Sequence, residues 1–365
     1  MVDLRGQYLS MQQDIDAAIN EVLLNTRFIM GPNVQALEQE VSAYLGVNHS
    51  IGCANGTDAL HLALRALDLG PGDEVITTPF TFIATAEAIT YVGATPVFVD
   101  IDPLSYNLNI DQIESAITDN TRAILPVHLF GLPCNMKPLL AIAKKHNLFV
   151  VEDCAQCFGA KIDGKTTGGI GDIATHSFFP SKNLGCYGDG GMITTNNPDL
   201  AEKIKVLRSH GSTKQYHHTV IGYNSRLDEI QATILRLKLK NIEQFNEGRL
   251  RVAKRYCEAM ADLDIQLPQL VAADGTSSPV FHQFTLLCQQ RDHVKQVLSE
   301  QQIASAIYYP IPLHQQVAMK KLTDTNAQFP AAEAAATRCL SLPIYPEMPD
   351  ASIDRVVAAV KLALN

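Results

Sequence analysis

The sequence predicts an α/β protein built on a mostly parallel β-sheet, followed by a second, smaller domain. Over the first two-thirds of the chain, short apolar runs alternate with segments of helical periodicity. That order is typical of a parallel sheet covered by helices. From about residue 228 the pattern changes to long helical segments followed by short, proline-bounded runs. We expect this second pattern to form a separate α+β unit.

The predicted strands are short and rich in Val and Ile, and they lack strict alternation, as is typical of strands buried on both faces. They cover residues 75–78, 96–100, 123–128, 148–153, 173–179 and 192–195. Helices are predicted between them over 110–116 and 136–145. After them, one long helix is predicted over 227–246 and another over 250–260. We therefore expect a large domain over residues 1–240 and a small one over 241–365.

Composition limits the class of protein. Hydrophobic residues make up 46% of the 365 residues and charged residues 18%, which is globular composition. The net charge of −9 and the lack of a strongly basic stretch argue against nucleic-acid binding. No run of about 18 apolar residues suggests a membrane span. The first residues lack an apolar signal region, and the eight cysteines lie mostly in apolar runs, so we expect a reduced, cytoplasmic protein.

The strongest local signal is the segment 177–182, Ser-Phe-Phe-Pro-Ser-Lys, which follows an apolar strand and precedes a run rich in glycine. Pyridoxal phosphate requires a lysine that reaches its aldehyde unprotonated, so Lys182 is a candidate for a Schiff base. The hydroxyls of Ser177 and Ser181 could hold the phosphate. Taken alone, Lys182 fits better a surface lysine that keeps its charge in water.

Two other segments change that balance. Asp153 ends an apolar strand, where a carboxylate can pair with a protonated pyridine nitrogen, and Gln156 could bind the ring hydroxyl. An ordinary helix N-cap is an equally good interpretation of Asp153 alone. The segment Asn-Gly-Thr-Asp at 55–58 opens an amphipathic helix, whose N-terminus could bind phosphate beside Gly56 and Thr57. By itself this segment fits an ordinary capped helix better.

Together these segments resemble the DegT/DnrJ/EryC1/StrS family of sugar-nucleotide aminotransferases, over nearly the whole chain. The matching motifs, in chain order, are Asp-Leu at 3–4, Gly-Pro at 31–32, Asn-Gly-Thr-Asp-Ala at 55–59, Pro-Phe-Thr-Phe at 79–82, Glu-Asp-Cys-Ala-Gln at 152–156, the segment 177–182, Asn-Ser-Arg-Leu at 224–227 and Tyr-Pro-Ile-Pro-Leu-His at 309–314. The similarity is greatest to bacterial enzymes that aminate UDP-linked 3-keto sugars.

The resemblance implies an aspartate aminotransferase-like fold, that is, fold type I of the pyridoxal phosphate enzymes, with a seven-stranded sheet. It also implies a homodimer with shared active sites. In the family pattern Lys182 forms the Schiff base, and the other cofactor-binding positions are Gly56, Thr57, Phe82, Asp153, Gln156, Ser177 and, from the second subunit, Asn224. Positions implied for the substrate are Met30, Arg226, Tyr308, Tyr309 and His314. No metal is implied.

The implied activity moves the amino group of L-glutamate, through pyridoxal and pyridoxamine phosphate, to a keto sugar nucleotide. A UDP-linked 3-keto-hexose for O-antigen or capsule synthesis is favoured. A UDP- or dTDP-linked 4-keto sugar, a benzoquinoid substrate and a regulatory protein that kept the fold stay open. Sugar dehydratases of the family carry His in place of Lys182, so the lysine argues against that activity. A simple nucleotide-binding protein also lacks support, because no Gly-x-Gly-x-x-Gly opens a suitable helix.

Two departures from the family pattern stand out. Cys154 and Cys157 occupy positions that are often Ala and Ser, but no second cysteine pair lies at the spacing of a zinc site. Tyr308 stands where some relatives that aminate uronic acids carry His. A tyrosine supplies no positive charge, which argues against a uronate, although Arg226 could still pair with a carboxylate.

Overall fold

The computed structural model describes residues 1–271, 275–320, 322 and 327–364. The helices in this part of the chain are α1 (Leu4–Ser10), α2 (Gln12–Asn25), α3 (Pro32–Leu45), α4 (Gly56–Ala66), α5 (Ala84–Tyr91), α6 (Ile110–Ile113), α7 (Met136–His146), α8 (Pro198–Arg208), α9 (Glu229–Leu239), α10 (Ile242–Ala259), α11 (Arg291–Glu300), α12 (Pro330–Arg338) and α13 (Asp350–Leu364). Short 3-10 helices cover Glu114–Ala116, Leu129–Gly131 and Leu313–Gln315.

The strands of the described residues are β1 (His49–Cys53), β2 (Glu74–Thr77), β3 (Thr95–Phe98), β4 (Thr121–Ile124), β5 (Phe149–Asp153), β6 (Lys161–Ile162), β7 (Lys165–Thr166), β8 (Ile173–Ser177), β9 (Gly191–Thr195), β10 (Ser212–Lys214), β11 (His217–His218), β12 (Ser277–Ser278), β13 (Phe284–Leu287) and β14 (Cys339–Leu342). Each predicted strand is present, and four of the six are shorter than expected by one or two residues.

A seven-stranded sheet forms the centre, in the order β1-β9-β8-β5-β4-β2-β3. Strand β9 runs antiparallel to both β1 and β8, and the other pairs are parallel. The inner strands are buried almost throughout, because helices cover both faces of a parallel sheet. The predicted α/β class with a mostly parallel, seven-stranded sheet is therefore confirmed.

The sheet brings several chain segments to one edge. Asp153 ends β5 and Ser177 ends the neighbouring parallel strand β8. Strand β1 ends at the same edge and leads into α4 at Gly56, while Lys182 lies in the loop between β8 and β9. Because carboxyl ends of parallel strands meet along one edge, residues distant in sequence converge there.

The predicted single helix over 227–246 is wrong. The chain forms α9, which begins after the N-cap Asp228, and then α10, which begins after Asn241. The Asn241 side chain donates to the carbonyl of Leu237, and such local bonds compete with continuation of a helix. The helix predicted over 250–260 is the second half of α10.

Strands β13 and β14 pair antiparallel and pack with α10, α11 and α13 around a second apolar core. Helix α10 contacts two cores: Ile242 and Phe245 pack with α9, while Val252 and Tyr256 pack in the second core. The domain boundary at 240/241 therefore stays a prediction. Within the described ranges, no helix is long and apolar enough to cross a bilayer.

Candidate active site

An open pocket lies at the carboxyl edge of the central sheet. It encloses about 1440 Å³ of space, part of which is open to solvent. Nine of the predicted site residues line it: Gly56, Thr57, Phe82, Asp153, Gln156, Ser177, Lys182, Tyr308 and Tyr309. These residues come from five separate parts of the chain, so the fold brings together most of the set that the motifs suggested.

Lys182 lies on a tight turn in the loop after β8. Its backbone N–H donates to the carbonyl of Phe179 at 2.8 Å. The buried Lys238 fixes the far side of the loop, since its Nζ donates to the Gly185 carbonyl at 2.7 Å. Burial lowers the pKa of Lys182 to about 8, against the opposing effect of Asp153. The side chain is therefore not a surface lysine, and a substantial fraction is a neutral amine near pH 8.

Asp153 is almost fully buried, at 3% exposed. Its Oδ2 accepts a hydrogen bond from the Thr85 hydroxyl at 2.9 Å, and its Oδ1 accepts one from the N–H of Ala155 at 3.1 Å. Burial raises the pKa of this carboxyl, although the hydrogen bonds from Ala155 and Thr85 and the charge of Lys182 oppose that rise. No helix follows Asp153, so it is not an N-cap. A buried carboxylate that faces a pocket favours a cationic partner there.

The start of α4 forms a cradle together with the end of β8. Asn55 caps the helix, since its Oδ1 accepts from the N–H of Asp58 at 2.8 Å. The Ser177 hydroxyl lies so close that a Cβ on Gly56 would come within 3.0 Å of Ser177 Oγ. The helix start leaves backbone N–H groups free, and Thr57 adds a hydroxyl. This donor set suits a phosphate group.

The Gln156 amide is held in one orientation. Its Oε1 accepts from the N–H of Phe130 at 2.7 Å, and its Nε2 donates to the Tyr309 hydroxyl at 3.1 Å. The second amide hydrogen remains available to a ligand. The ring of Phe82 is 56% exposed and lies 6.3 Å from that of Tyr309, so an aromatic surface borders the pocket.

Four predicted residues do not line this pocket in the single chain. Asn224 is exposed and pairs with Ser209, and Arg226 makes no ion pair within the described residues. Met30 packs against the core around α3 and α9. Asn224, Arg226 and Met30 therefore stay predictions that depend on a second subunit.

His314 lies outside the pocket in the single chain, so its predicted substrate contact stays a prediction. Its side chain is buried, and its Nε2 lies 3.1 Å from Glu333 Oε1 on α12. The His314 ring lies 4.7 Å from the ring of Phe329. Its Nδ1 is buried without a hydrogen-bond partner within the described residues.

Sequence reasoning missed several residues that line the pocket or support it. Thr81 and Thr85 follow β2. Their hydroxyls lie 3.2 Å apart, and the Thr85 hydroxyl in turn donates to the Asp153 carboxylate. Two hydroxyls four residues apart after a strand were a signal that could have suggested this. His282 and Gln283 also line the pocket, but they lie far along the chain from the motifs and carried no such signal.

A buried cluster lies behind Asp153. The ligand atoms of His128, Cys154 and Cys157 lie within 4.8 Å of one another, a set that could in principle hold a soft metal. However, His128 Nδ1 accepts from the N–H of Cys134 at 2.9 Å, and its Nε2 lies 3.1 Å from Glu152. Both ring nitrogens are thus engaged, and the cluster reads as satisfied packing.

Similarity to known proteins fits this geometry. Residues 9–361 match the model of the DegT/DnrJ/EryC1/StrS aminotransferase family. A UDP-N-acetyl-3-dehydro-alpha-D-glucosamine 3-aminotransferase of Acidithiobacillus ferrooxidans is 52% identical over 365 residues, which cover 100% of this chain and 98% of that protein. A pleiotropic regulatory protein of Geobacillus stearothermophilus is 49% identical, over 99% of this chain and 97% of that one.

Solved structures agree. The crystal structure of DesV from S. venezuelae in complex with a ketimine intermediate matches with a TM-score of 0.96 and 40% identity, over 100% of this chain and 98% of that one. NtdA from Bacillus subtilis with the bound cofactor PMP matches with a TM-score of 0.91 and 34% identity, over 97% and 82%. The predicted fold and enzyme class are thereby confirmed, and the chain belongs to the DegT/DnrJ/EryC1/StrS aminotransferase family.

Proposed function

We propose that this protein binds pyridoxal phosphate at Lys182 and transfers the amino group of L-glutamate to a UDP-linked 3-keto-hexose. One observation carries the proposal: a lysine whose pKa is lowered, a buried carboxylate and a phosphate cradle face the same pocket. The substrate class follows from the relative in Acidithiobacillus ferrooxidans, which is similar over the full length of both chains.

The pocket fits the cofactor at both of its charged ends. Thr57, Ser177 and the start of α4 would hold the phosphate, and Asp153 would pair with the protonated ring nitrogen. When bound, pyridoxal phosphate supplies an electron sink that carries the amino group between the two substrates. Phe82 would lie against its ring, and Gln156 would donate its free amide hydrogen to the ring hydroxyl.

In this scheme Lys182 is the group that transfers protons. Covalent attachment requires its neutral amine, and so does removal of a proton from the substrate carbon after the amine is released. Burial lowers the pKa of this amine to about 8, so a substantial fraction of it is neutral near that pH, whereas an exposed lysine would be almost wholly protonated. Asp153 moderates this effect, since its negative charge raises the pKa of Lys182.

We further propose a homodimer in which Asn224 and Arg226 reach the pocket of the partner subunit. Support comes from apolar side chains around α2 that the single chain leaves in water. They are 49% exposed at Leu23, 76% at Leu24 and 50% at Ile29. Exposed apolar residues in one region mark interaction surfaces. Asn224 and Arg226 remain outside the pocket of their own chain, as shared sites require.

The two candidate acceptors, a 3-keto and a 4-keto sugar, differ in the position of the carbonyl that receives the amine. Tyr308 lines the pocket and brings no positive charge, which favours a neutral sugar over a uronic acid. The product would serve bacterial O-antigen or capsule synthesis. Eight cysteines without disulfides fit the cytoplasm, where nucleotide sugars are made.

The deciding experiment incubates the purified protein with L-glutamate and with UDP- and dTDP-linked 3-keto and 4-keto sugars, one at a time. Mass spectrometry then shows which sugar gains an amine, and Lys182→Ala is the matched control. We expect transfer to a UDP-linked 3-keto sugar and none in the control. Conversion of no sugar would overturn the proposal, and bound cofactor that glutamate does not convert would favour the regulatory alternative that the Geobacillus relative suggests.

A further inference from the structure

His282 is a buried imidazole beside Lys182 that the motifs did not reveal. It is 4% exposed and lines the same pocket as Lys182 and Gln156. Its Nδ1 is buried without a hydrogen-bond partner within the described residues. Its Nε2 has only a contact of 3.5 Å with Nε2 of Gln283. A buried polar atom without a partner destabilises the fold, so each one requires an explanation.

The fold positions this residue without using its ring. The main chain on either side is tied to the loop beside Gln156, because the N–H of Val280 donates to the Gly131 carbonyl at 3.0 Å and that of Gln283 to Phe130 at 3.3 Å. Asn183, next to Lys182, donates to the Val280 carbonyl at 3.0 Å. The segment 280–283 therefore connects the turn at 129–131, which binds the Gln156 side chain, to the loop that carries Lys182.

Buried Arg249 completes the support. Its Nη1 donates to the carbonyls of Phe281 and His282 at 3.3 Å and to that of Ile344 at 3.1 Å. A Cβ on Gly131, whose φ is +94°, would lie 2.8 Å from the backbone nitrogen of His282. All these bonds involve main chain, so they hold the segment in place whatever side chain residue 282 carries. These main-chain bonds therefore give no reason for an imidazole at position 282.

The charge state of the ring follows from its surroundings. Burial lowers the pKa of His282 well below its ordinary value, and the positive charges of Lys182 and Arg249 lower it further. The ring is therefore neutral, with a lone pair on one nitrogen. The charged groups that act on Lys182 itself are Asp153 and the Cys157 thiol.

We propose that His282 is a positioning residue that accepts a hydrogen bond from the Lys182 amine once that amine is released from the cofactor. The inference rests on the proposed function, because only release of Lys182 from a cofactor makes a second resting place necessary. A neutral acceptor would hold the amine beside the substrate carbon instead of letting it turn to solvent. It would also give the buried Nδ1 of His282 the hydrogen-bond partner that it lacks within the described residues.

The test compares three variants of matched size. His282→Leu removes both ring nitrogens, His282→Asn keeps a polar atom near the position of Nδ1, and His282→Gln keeps one near that of Nε2. The pKa of the Lys182 amine is measured by labelling with trace acetic anhydride across pH and quantifying the modified peptide by mass spectrometry. It is done on the enzyme converted by glutamate and on protein stripped of cofactor.

We expect His282→Leu to lower the pKa of Lys182 by about one unit, because an ammonium donates a stronger hydrogen bond than an amine and loses its acceptor. The glutamate half-reaction should slow about tenfold or more. His282→Asn should restore both values to near wild type, and His282→Gln should not. If the leucine variant fails to fold, the asparagine and glutamine pair still decides the question.

An unchanged pKa and rate in His282→Leu would overturn the proposal. Equal impairment of the asparagine and glutamine variants would also overturn it, since a purely structural role does not distinguish the two positions. If wild-type protein never converts glutamate, the proposed function fails, but labelling of the stripped protein still reports whether residue 282 affects the Lys182 amine. The two failures are therefore distinguishable.

Discussion

Replacing Asp153 with asparagine tests the electrostatic centre of the pocket. Asp153→Asn keeps the size of a side chain that is 3% exposed, and it removes the negative charge. It also leaves one acceptor oxygen for two donors, the Thr85 hydroxyl and the N–H of Ala155. The variant should therefore fold and bind cofactor while it loses the partner of the ring nitrogen.

The expected loss can be worked from Coulomb's law. Two opposite unit charges about 4 Å apart, at an effective dielectric constant of about 20, attract with about 4 kcal/mol. Each 1.36 kcal/mol of transition-state stabilisation corresponds to about a tenfold change in rate. If that attraction is expressed mainly when negative charge develops on the ring, the rate should fall roughly a thousandfold.

The assay is a single-turnover half-reaction with L-glutamate, followed by the visible absorbance of the bound cofactor in a stopped-flow instrument. Cofactor content is measured separately, so that weak binding is not mistaken for slow chemistry. Thr85→Val is the matched control, because it removes one hydrogen bond to the carboxylate but keeps its charge. That loss of about 1 kcal/mol should slow the reaction about fivefold.

A rate for Asp153→Asn within about tenfold of wild type, at full cofactor occupancy, would refute the reasoning. It would mean that the negative charge of Asp153 contributes little to the transition state. A larger effect for Thr85→Val than for Asp153→Asn would refute it as well, since the hydrogen bond would then matter more than the charge it supports.

Three further predictions follow from the same structure. Burial lowers the pKa of Lys182 from 10.5 to about 8. The half-reaction with the keto sugar starts with the Lys182 amine free, so its rate should increase with pH up to about 8 and then level off; a rate still rising near pH 10 would contradict this. Gly56→Ala places a Cβ 2.6 Å from Ser177 Cβ, so equilibrium titration should show weaker cofactor binding with the fold retained. Glu229→Gln weakens the cap of α3, where Glu229 accepts from the N–H of Val34 at 2.9 Å, and urea unfolding should show a loss of about 1–2 kcal/mol.

Much of the fold was predictable because buried parallel strands leave a strong local signature. The apolar runs at 149–153 and 191–195 are strands that the sheet buries almost completely. The helix over 227–246 was wrongly predicted because periodicity continues across Asn241, where the side chain of one residue ends α9. The spacing of apolar residues indicates which face of a helix is buried, but it does not show where one helix ends and the next begins.

The candidate site divides along similar lines. Lys182, Asp153 and Thr57 each belong to a motif of the family pattern, so the resemblance to that family predicted that they share one pocket. Thr85 and His282 could not, because their importance lies in contacts with residues that are far away along the chain. His314 is a motif position whose predicted substrate contact stays a prediction, since in the single chain its ring contacts Glu333 and Phe329.

By itself the sequence determined the family and enzyme class of this protein, because the motifs that carry the resemblance are local features that stand in the right order along the chain. Only the tertiary structure decided the reactivity of that lysine. The pKa of Lys182 depends on burial and on Asp153, and the position of His282 depends on bonds from Gly131, Asn183 and Arg249. Desolvation and charge act through space, and distances between segments are fixed only when the chain has folded.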